Sequence, residues 1–209
     1  MDSTSSSRNR TALEPKRDLG RRRVAALLRA AALVFQERGF EAATMVEIAA
    51  RAEANIGSLY RFFPNKEALA DALMQHYTEV LQQGFEAIAA QARTLSPEAL
   101  SDLLIDFLVA RHAQTRALSA LLDSRAESTL TRLQIRAQAL AGVKAALVAC
   151  APHLGSTEAD AESIAAVVLN NMKTMVGMTL KDAPTSAGAP DELRFMNRLY
   201  LAQRLGVAR

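Results

Sequence analysis

Few residues in this chain have the type and spacing for covalent chemistry. The sequence contains no Gly-x-Ser-x-Gly nucleophile turn, no Gly-rich phosphate loop and no Cys/His pair at zinc-ligand spacing. His76, His112 and His153 stand far apart. Cys150, the single cysteine, falls in an apolar stretch that suits a core residue better than a redox sensor. No catalytic residue, metal or cofactor is therefore expected, and the chain does not read as an enzyme. The chemistry on offer is non-covalent. Asn55, Ile56, Ser58, Tyr60 and Arg61 gather an amide, an aliphatic group, a hydroxyl, a phenol and a guanidinium within seven consecutive positions. On the solvent side of a short helix, such a set can meet the floor of a DNA major groove.

The elements that must hold this set are readable from their boundaries. Val24, Leu27, Leu28, Ala31 and Phe35 recur at three- and four-residue steps, and Gly39 is placed to close that helix. Thr44-Met45-Val46-Glu47 is a capping-box pattern that opens a short segment reaching Ala52. A second short segment begins at the N-cap residue Asn55 and stops at Pro64; Asn65 then caps a long helix to about Ala90. Met45, Ile48, Ala49, Leu59 and Phe63 can lock the two short helices together, and the small Ala49 and Ala52 let them cross closely. That is a helix-turn-helix arrangement with its second helix free.

The stretch from Gly39-Phe40 through Thr44, Ile48-Ala49, Ala52, Asn55, Gly57-Ser58-Leu59-Tyr60, Phe62-Phe63 and Asn65-Lys66 to Leu69 resembles the DNA-binding domain of the TetR family of one-component transcriptional repressors. The resemblance covers about fifty residues, roughly 20–69. Beyond them the likeness lies in length and all-helical layout alone. It implies that Thr44 and Lys66, each at a helix start, grip backbone phosphates, as free amides and the helix dipole favour. It implies that Tyr60 bonds a phosphate, and that Asn55, Ile56, Ser58 and Arg61 face base edges. Arg61 would take guanine in a bidentate way and Ile56 a thymine methyl. Gly57 either lets the backbone approach DNA or permits close helix packing. Val46, often polar in the family, is expected to sit exposed rather than touch a base. One position departs: Glu53 stands where the family usually has a turn glycine. A left-handed backbone there costs a non-glycine residue roughly 1–2 kcal/mol.

Composition and charge agree with a DNA-binding reading. The chain has 209 residues, 50% hydrophobic and 22% charged, which excludes wholesale disorder and is long enough to bury a core without staples. Residues 1–75 hold 12 Lys/Arg against 9 Asp/Glu, and 76–209 hold 13 of each, so the net charge of +3 lies in the first third. A basic end suggests a polyanionic partner. Residues 1–18 read as a flexible basic arm, which either enters a minor groove or adds weak electrostatic attraction. Arg21-Arg22-Arg23 before Val24–Leu28 looks like a signal-peptide start, but Arg29, Glu37 and Arg38 interrupt it and no small-residue cleavage site follows. Ile164–Leu180 contains Asn170, Asn171 and Lys173 and is short for a membrane span. The expectation is a cytoplasmic protein without a membrane partner.

Helical periodicity persists to the end, with prolines only in the arm or at boundaries, so the expected fold class is all-α: an arm at 1–18, a three-helix DNA-binding domain at 19–66, and an effector-binding and dimerisation domain at 67–209. Further helices are marked by Leu100 to Arg111 after Ser96-Pro97, by Leu118, Leu121 and Leu122, by Leu133, Ala137, Leu140 and Leu147, and at about 157–181 and 190–205. The last two each carry two apolar stripes. On one, Ile164, Val168, Asn171, Met175 and Met178 run beside Ala165, Leu169, Met172 and Val176. On the other, Leu193, Met196 and Tyr200 run beside Phe195, Leu199, Ala202 and Leu205. A second stripe needs a second surface: a homodimer through these helices supplies it, the alternative being a helix at the centre of the core.

The family resemblance also implies a small-molecule pocket whose effector spreads the two reading heads away from half-sites about one helical turn apart. Candidates for orienting or enclosing an apolar effector are Phe107, Arg111, His112, Asn170, Asn171, Met172 and Met175. Arg111 and His112 can equally be a solvated face, and Asn171 a buried residue fixing dimer register. The expected protein is a homodimeric repressor of a palindromic double-stranded operator. Two alternatives stand beside it: a helical interaction module whose basic arm meets a membrane or an acidic partner, and a ligand-independent or activating DNA-binding regulator.

Overall fold

A computed structural model of the chain describes residues 18–111, 121, 128–156, 158–179 and 186–206. Among them the fold is all-α. The helices are α1 (Asp18–Ala42), α2 (Met45–Arg51), α3 (Ile56–Phe62), α4 (Lys66–Ala92), α5 (Pro97–Val109), α6 (Ser128–Cys150), α7 (Glu158–Met178) and α8 (Ala189–Leu205), with a 3-10 turn at Pro152–Ser156. The expected arm lies outside the described residues apart from Asp18, as does the helix expected around Leu118 apart from Leu121.

Two compact units share the chain: residues 1–77 with 116–128, and residues 78–115 with 129–209. The division falls inside α4, whereas the sequence placed it at the start of that helix. In the first unit, Leu27, Ala31, Val34 and Phe35 of α1 meet Ile48 and Ala49 of α2, Leu59 and Phe62 of α3, and Leu69 and Leu73 of α4, with Leu121 in the same buried cluster. Phe35 and Phe40 pack as a tilted pair 5.5 Å apart. Gly39 breaks α1 between them, at φ 76° and ψ 166°. That backbone region is open essentially to glycine alone, which is why the chain turns here.

In the second unit α5 packs on both α7 and α8, and those two pack on one another. Phe85 of α4 and Phe107 of α5 are 5.0 Å apart, and the close approach depends on two glycines. A Cβ at Gly84 would lie 2.0 Å from the Phe107 ring, and one at Gly142 would lie 2.5 Å from Phe85. Arg194 and Arg198 of α8 clamp Asp102 of α5, with Arg198 Nε 2.9 Å from Asp102 Oδ1 and Arg194 also reaching Asp106 at 2.8 Å.

Three of the expected helical faces are corrected by this packing. Both stripes of α7 are buried within the chain itself: Ile164, Ala165, Val168, Leu169, Met172, Met175 and Val176 are all covered, so α7 is a core helix and its second stripe needs no partner. The core face of α8 runs through Leu193, Asn197, Leu201 and Leu205, which leaves Phe195, Met196 and Leu199 exposed. On α6 the buried positions are Ala139, Val143, Ala146 and Leu147, while Leu133 stands exposed. Two adjacent stripes on one helix look alike in sequence whether the second neighbour is internal or external. By length and composition Thr131–Cys150 of α6 is apolar enough to cross a membrane, at a mean hydropathy of 1.2, a stretch the sequence reading did not single out. Of that stretch 22% is buried, Val143, Ala146 and Leu147 among it.

Candidate nucleic-acid interface

The first unit holds α3 by its ends. Thr44 caps α2: its Oγ1 accepts from Glu47 N at 3.2 Å, while its own N and Oγ1 donate to Glu47 Oε2 at 3.1 and 2.8 Å. Those bonds, from the Thr44 hydroxyl first and its backbone second, hold the Glu47 carboxyl below the usual range. Asn55 caps α3, its Oδ1 accepting from Gly57 N at 2.8 Å. Between the two helices Glu53 adopts φ 49°, the left-handed backbone that a glycine would take without cost. Glu53 N still donates to Ala50 O at 3.1 Å and Ala54 N to Ala49 O at 2.9 Å, so the turn closes with its bonds made.

α2 is pinned to α1 by charge as well as packing. Arg51 forks onto Glu37 with Nη1–Oε1 at 2.9 Å and Nη2–Oε2 at 2.6 Å. The Arg51 hydrogen bonds lower the Glu37 carboxyl, and the same contact raises Arg51. α4 is fixed at its start, where Asn65 Oδ1 accepts from Ala68 N at 2.8 Å.

This scaffold leaves one face of α3 to solvent. Leu59 and Phe62 point inward, whereas Ile56, Gly57, Tyr60 and Arg61 are exposed, Tyr60 by 50%, and Ser58 is partly covered. Arg61 lies 5.1 Å from the Phe62 ring centroid and makes no hydrogen bond or ion pair among the described residues. Tyr60 likewise makes none. A Cβ on Gly57 would meet only Asn55 Oδ1, at 3.3 Å, so the glycine serves no close helix crossing. Val46 is 66% exposed, as expected.

Two expected phosphate contacts are already engaged. The Thr44 hydroxyl is turned to Glu47. Lys66 Nζ donates to Glu41 O at 2.9 Å and sits 4.6 Å from the centroid of Phe40, tying the start of α4 to the chain just after the Gly39 break. An ammonium carries three protons, so this leaves Lys66 with donors to spare. At the other end of α1, Arg21 pairs with Asp18, and Arg22 and Arg23 are exposed.

The expected effector residues lie in the second unit and have different surroundings. Phe107 is buried, and Arg111 stacks on its ring at 4.0 Å while donating to Phe107 O at 3.0 Å. Asn170 is exposed and accepts from Arg136, while Asn171 donates to the buried Asn197 at 2.9 Å. Met172 and Met175 are wholly within the core, and His112 lies outside the described residues. An open cleft of about 380 Å³ between α4 and α6 was not anticipated; Gln82, Phe85, Ala89, Gln138 and Gly142 are among its walls. Gly142 admits the Phe85 ring at its wall, a pairing across helices that leaves no mark on local periodicity.

Comparison with known proteins centres on the same helices. The family model for bacterial regulatory proteins, tetR family, matches residues 27–73. The chain is 43% identical over 53 residues to the A-factor receptor protein of Streptomyces griseus, covering 25% of this chain and 19% of that one. It is 37% identical over 109 residues to an HTH-type transcriptional repressor of Mycobacterium tuberculosis, 52% of each. The match thus spans about half the length of that relative. Among solved structures, a TetR-family transcriptional regulator from Mesorhizobium loti superposes with a TM-score of 0.66 at 15% identity, over 92% of this chain and 98% of that one. The regulator FadR from Bacillus subtilis in complex with stearoyl-CoA gives 0.61 at 17% identity, over 88% and 99%. At such identities the structures establish a shared fold.

Proposed function

We propose, from the match of residues 27–73 to the family model for bacterial regulatory proteins, tetR family, that the chain is a cytoplasmic, homodimeric, sequence-specific DNA-binding regulator of that family that represses transcription until a small, largely apolar effector releases it. The observation that carries this reading is the outer face of α3. Tyr60 and Arg61 stand exposed without hydrogen-bond partners among the described residues, on a short helix whose backbone is capped and whose other face is buried. A side chain that reads DNA must be free, and the helix beneath it must be fixed.

In this reading Arg61 takes a guanine edge, and Ile56 and Ser58 line the groove floor. Tyr60 bonds a phosphate. Gly57 lets the backbone approach, and Asn55 supports the helix start while presenting its remaining amide donors. Lys66 offers phosphate the protons that Glu41 leaves unused. Thr44 can do the same only by turning its hydroxyl from Glu47. Phe195, Met196 and Leu199 on α8, with Val167 on α7, supply the apolar patch for a two-fold dimer. Such a dimer matches a palindromic operator with half-sites about 34 Å apart. The M. tuberculosis relative is named a repressor and the B. subtilis structure holds an acyl-CoA, which favours repression and a partly apolar effector here. The buried Phe107, Met172 and Met175 with Arg111 are proposed to receive it; Asn170 and Asn171 are already held by Arg136 and Asn197. Release requires an effector that binds the DNA-free protein more tightly than the DNA-bound one.

A gel-shift titration against the DNA upstream of the protein's own gene, with scrambled competitor, tests this. A discrete shift that survives competitor and is lost in Arg61→Ala supports it. Smearing that competitor abolishes and Arg61→Ala leaves unchanged refutes it at that promoter.

A further inference from the structure

The helix-turn-helix is closed at its base by one side chain. Ala42 and Ala43 alone separate Glu41 from Thr44, the cap of α2, and Phe63-Pro64-Asn65 alone separate α3 from Lys66, the first residue of α4. The bond from Lys66 Nζ to Glu41 O, 2.9 Å long and spanning 25 positions, therefore joins the entry of the motif to its exit. Both connections are stiff, since Ala43 and Phe63 are buried and Pro64 fixes its own φ.

The start of α4 does not call for a lysine on its own account. A cation in the first turn opposes the helix dipole, and Asn65 already caps the helix, its Oδ1 accepting from Ala68 N at 2.8 Å. What the ammonium meets instead is the end of α1. The last carbonyls of a helix lack partners within it and carry the negative end of its dipole, and Glu41 is the penultimate residue of α1. The ring of the buried Phe40, its centroid 4.6 Å away, adds a cation–π contact. That ring in turn packs on Phe35 in the core of the unit. Among the described residues Lys66 makes no ion pair, so a carbonyl and a ring are what hold it.

Resting on the DNA-binding reading, we propose that Lys66 is a positioning residue for sequence recognition. By clamping the two ends of the motif together it sets the angle at which α3 presents Tyr60 and Arg61, beyond any phosphate that its spare protons meet. A phosphate contact and a clamp differ in what their loss does. Removing a phosphate contact weakens all duplexes alike, because the backbone carries no sequence. Loosening a clamp leaves the other phosphate contacts in place but displaces side chains that must be held within about 0.5 Å of their productive geometry. Cognate binding then falls further than binding to random DNA.

Fluorescence anisotropy of the full-length protein tests it, on the duplex that the wild type selects from a random pool and on a scrambled duplex at the same salt. Lys66→Met should lower the ratio of cognate to scrambled affinity by about tenfold, the loss of one charge-assisted bond. Lys66→Arg, which keeps a donor and a cation for the ring, should hold the ratio within about twofold of the wild type. Phe40→Leu removes the ring but leaves the lysine charge, and should lower the ratio by about threefold. That variant decides the matter if circular dichroism shows Lys66→Met to be unfolded. Hydrogen exchange reads the clamp without DNA: amides of residues 45–62 should exchange faster in Lys66→Met, and not in Arg22→Gln, an exposed change elsewhere on the same unit. Equal losses on both duplexes would overturn the clamp and leave a phosphate contact, as would unchanged exchange. A wild type that prefers no duplex would overturn the DNA-binding reading, and with it the role in recognition, even where faster exchange shows that the clamp exists.

Discussion

At the scale of single residues, the proposed DNA recognition rests on side chains that the fold leaves unused. Arg61 is the sharpest case, exposed and without a hydrogen-bonded partner among the described residues. Its replacement by Ala should cost about 1–3 kcal/mol of binding to the cognate site and relax preference at one base pair, with little effect on binding to random DNA; fluorescence anisotropy on both DNAs measures the difference. Glu53 is the opposite case, a residue in a conformation that suits another. Its left-handed backbone costs about 1–2 kcal/mol and the extra freedom of an unfolded glycine costs about 0.5–1 kcal/mol. Glu53→Gly should therefore raise stability by up to about 1.5 kcal/mol, read as a higher urea midpoint at unchanged slope; a lower midpoint would show that the turn is not strained. The role of Glu53 was legible, because a motif position that wants glycine predicts positive φ. The commitments of Thr44 and Lys66 were less so. Sequence placed both at helix starts, but the Lys66 bond is to Glu41 O, just after a break in α1 whose angle no local pattern encodes.

At the scale of elements, each short helix is held by caps and cross-links rather than by its own length, since helices of seven residues do not persist alone. Thr44→Ala removes the capping box and should cost about 1 kcal/mol of stability, measured by urea unfolding. The α5–α8 contact is held by the Asp102 cluster. Burial pushes the Asp102 carboxyl up, but hydrogen bonds from Arg198 and Arg194 outweigh it and leave the group below its ordinary value. A lowered carboxyl contributes stability above its unfolded pKa of about 3.9 and loses it as pH falls through the folded value. Unfolding titrations should thus show wild-type stability falling below about pH 4, and Asp102→Asn should flatten that slope; equal slopes would remove the cluster from the account. Caps, breaks and helix limits were largely readable, because Ser96-Pro97, Asn55 and Gly39 act through local stereochemistry. The faces of α6, α7 and α8 were not. Val168 and Leu169 are one residue apart on two stripes, and whether the second stripe meets α5 or another chain is decided by tertiary packing.

At the scale of the whole molecule, the proposed regulator carries two DNA-reading units per particle, and the exposed Phe195, Met196 and Leu199 are the surface proposed to pair them. Leu199→Glu would place a charge in the middle of that patch. Sedimentation should then show a monomer at concentrations where the wild type is dimeric, and specific DNA binding should fall with it. A variant that remains dimeric would move the interface elsewhere. That α8 mattered was legible in its surplus of apolar residues, though their division between core and surface was not. The central claim is that the α3 face reads sequence. Its most direct test is to let the wild type and Arg61→Ala select binding sites from a random duplex pool. The account predicts that the wild type enriches one palindromic motif with half-sites about one helical turn apart, and that Arg61→Ala loses the preference at one symmetric pair of positions or enriches nothing. Selection of the same motif by both proteins, or of none by the wild type, would contradict it.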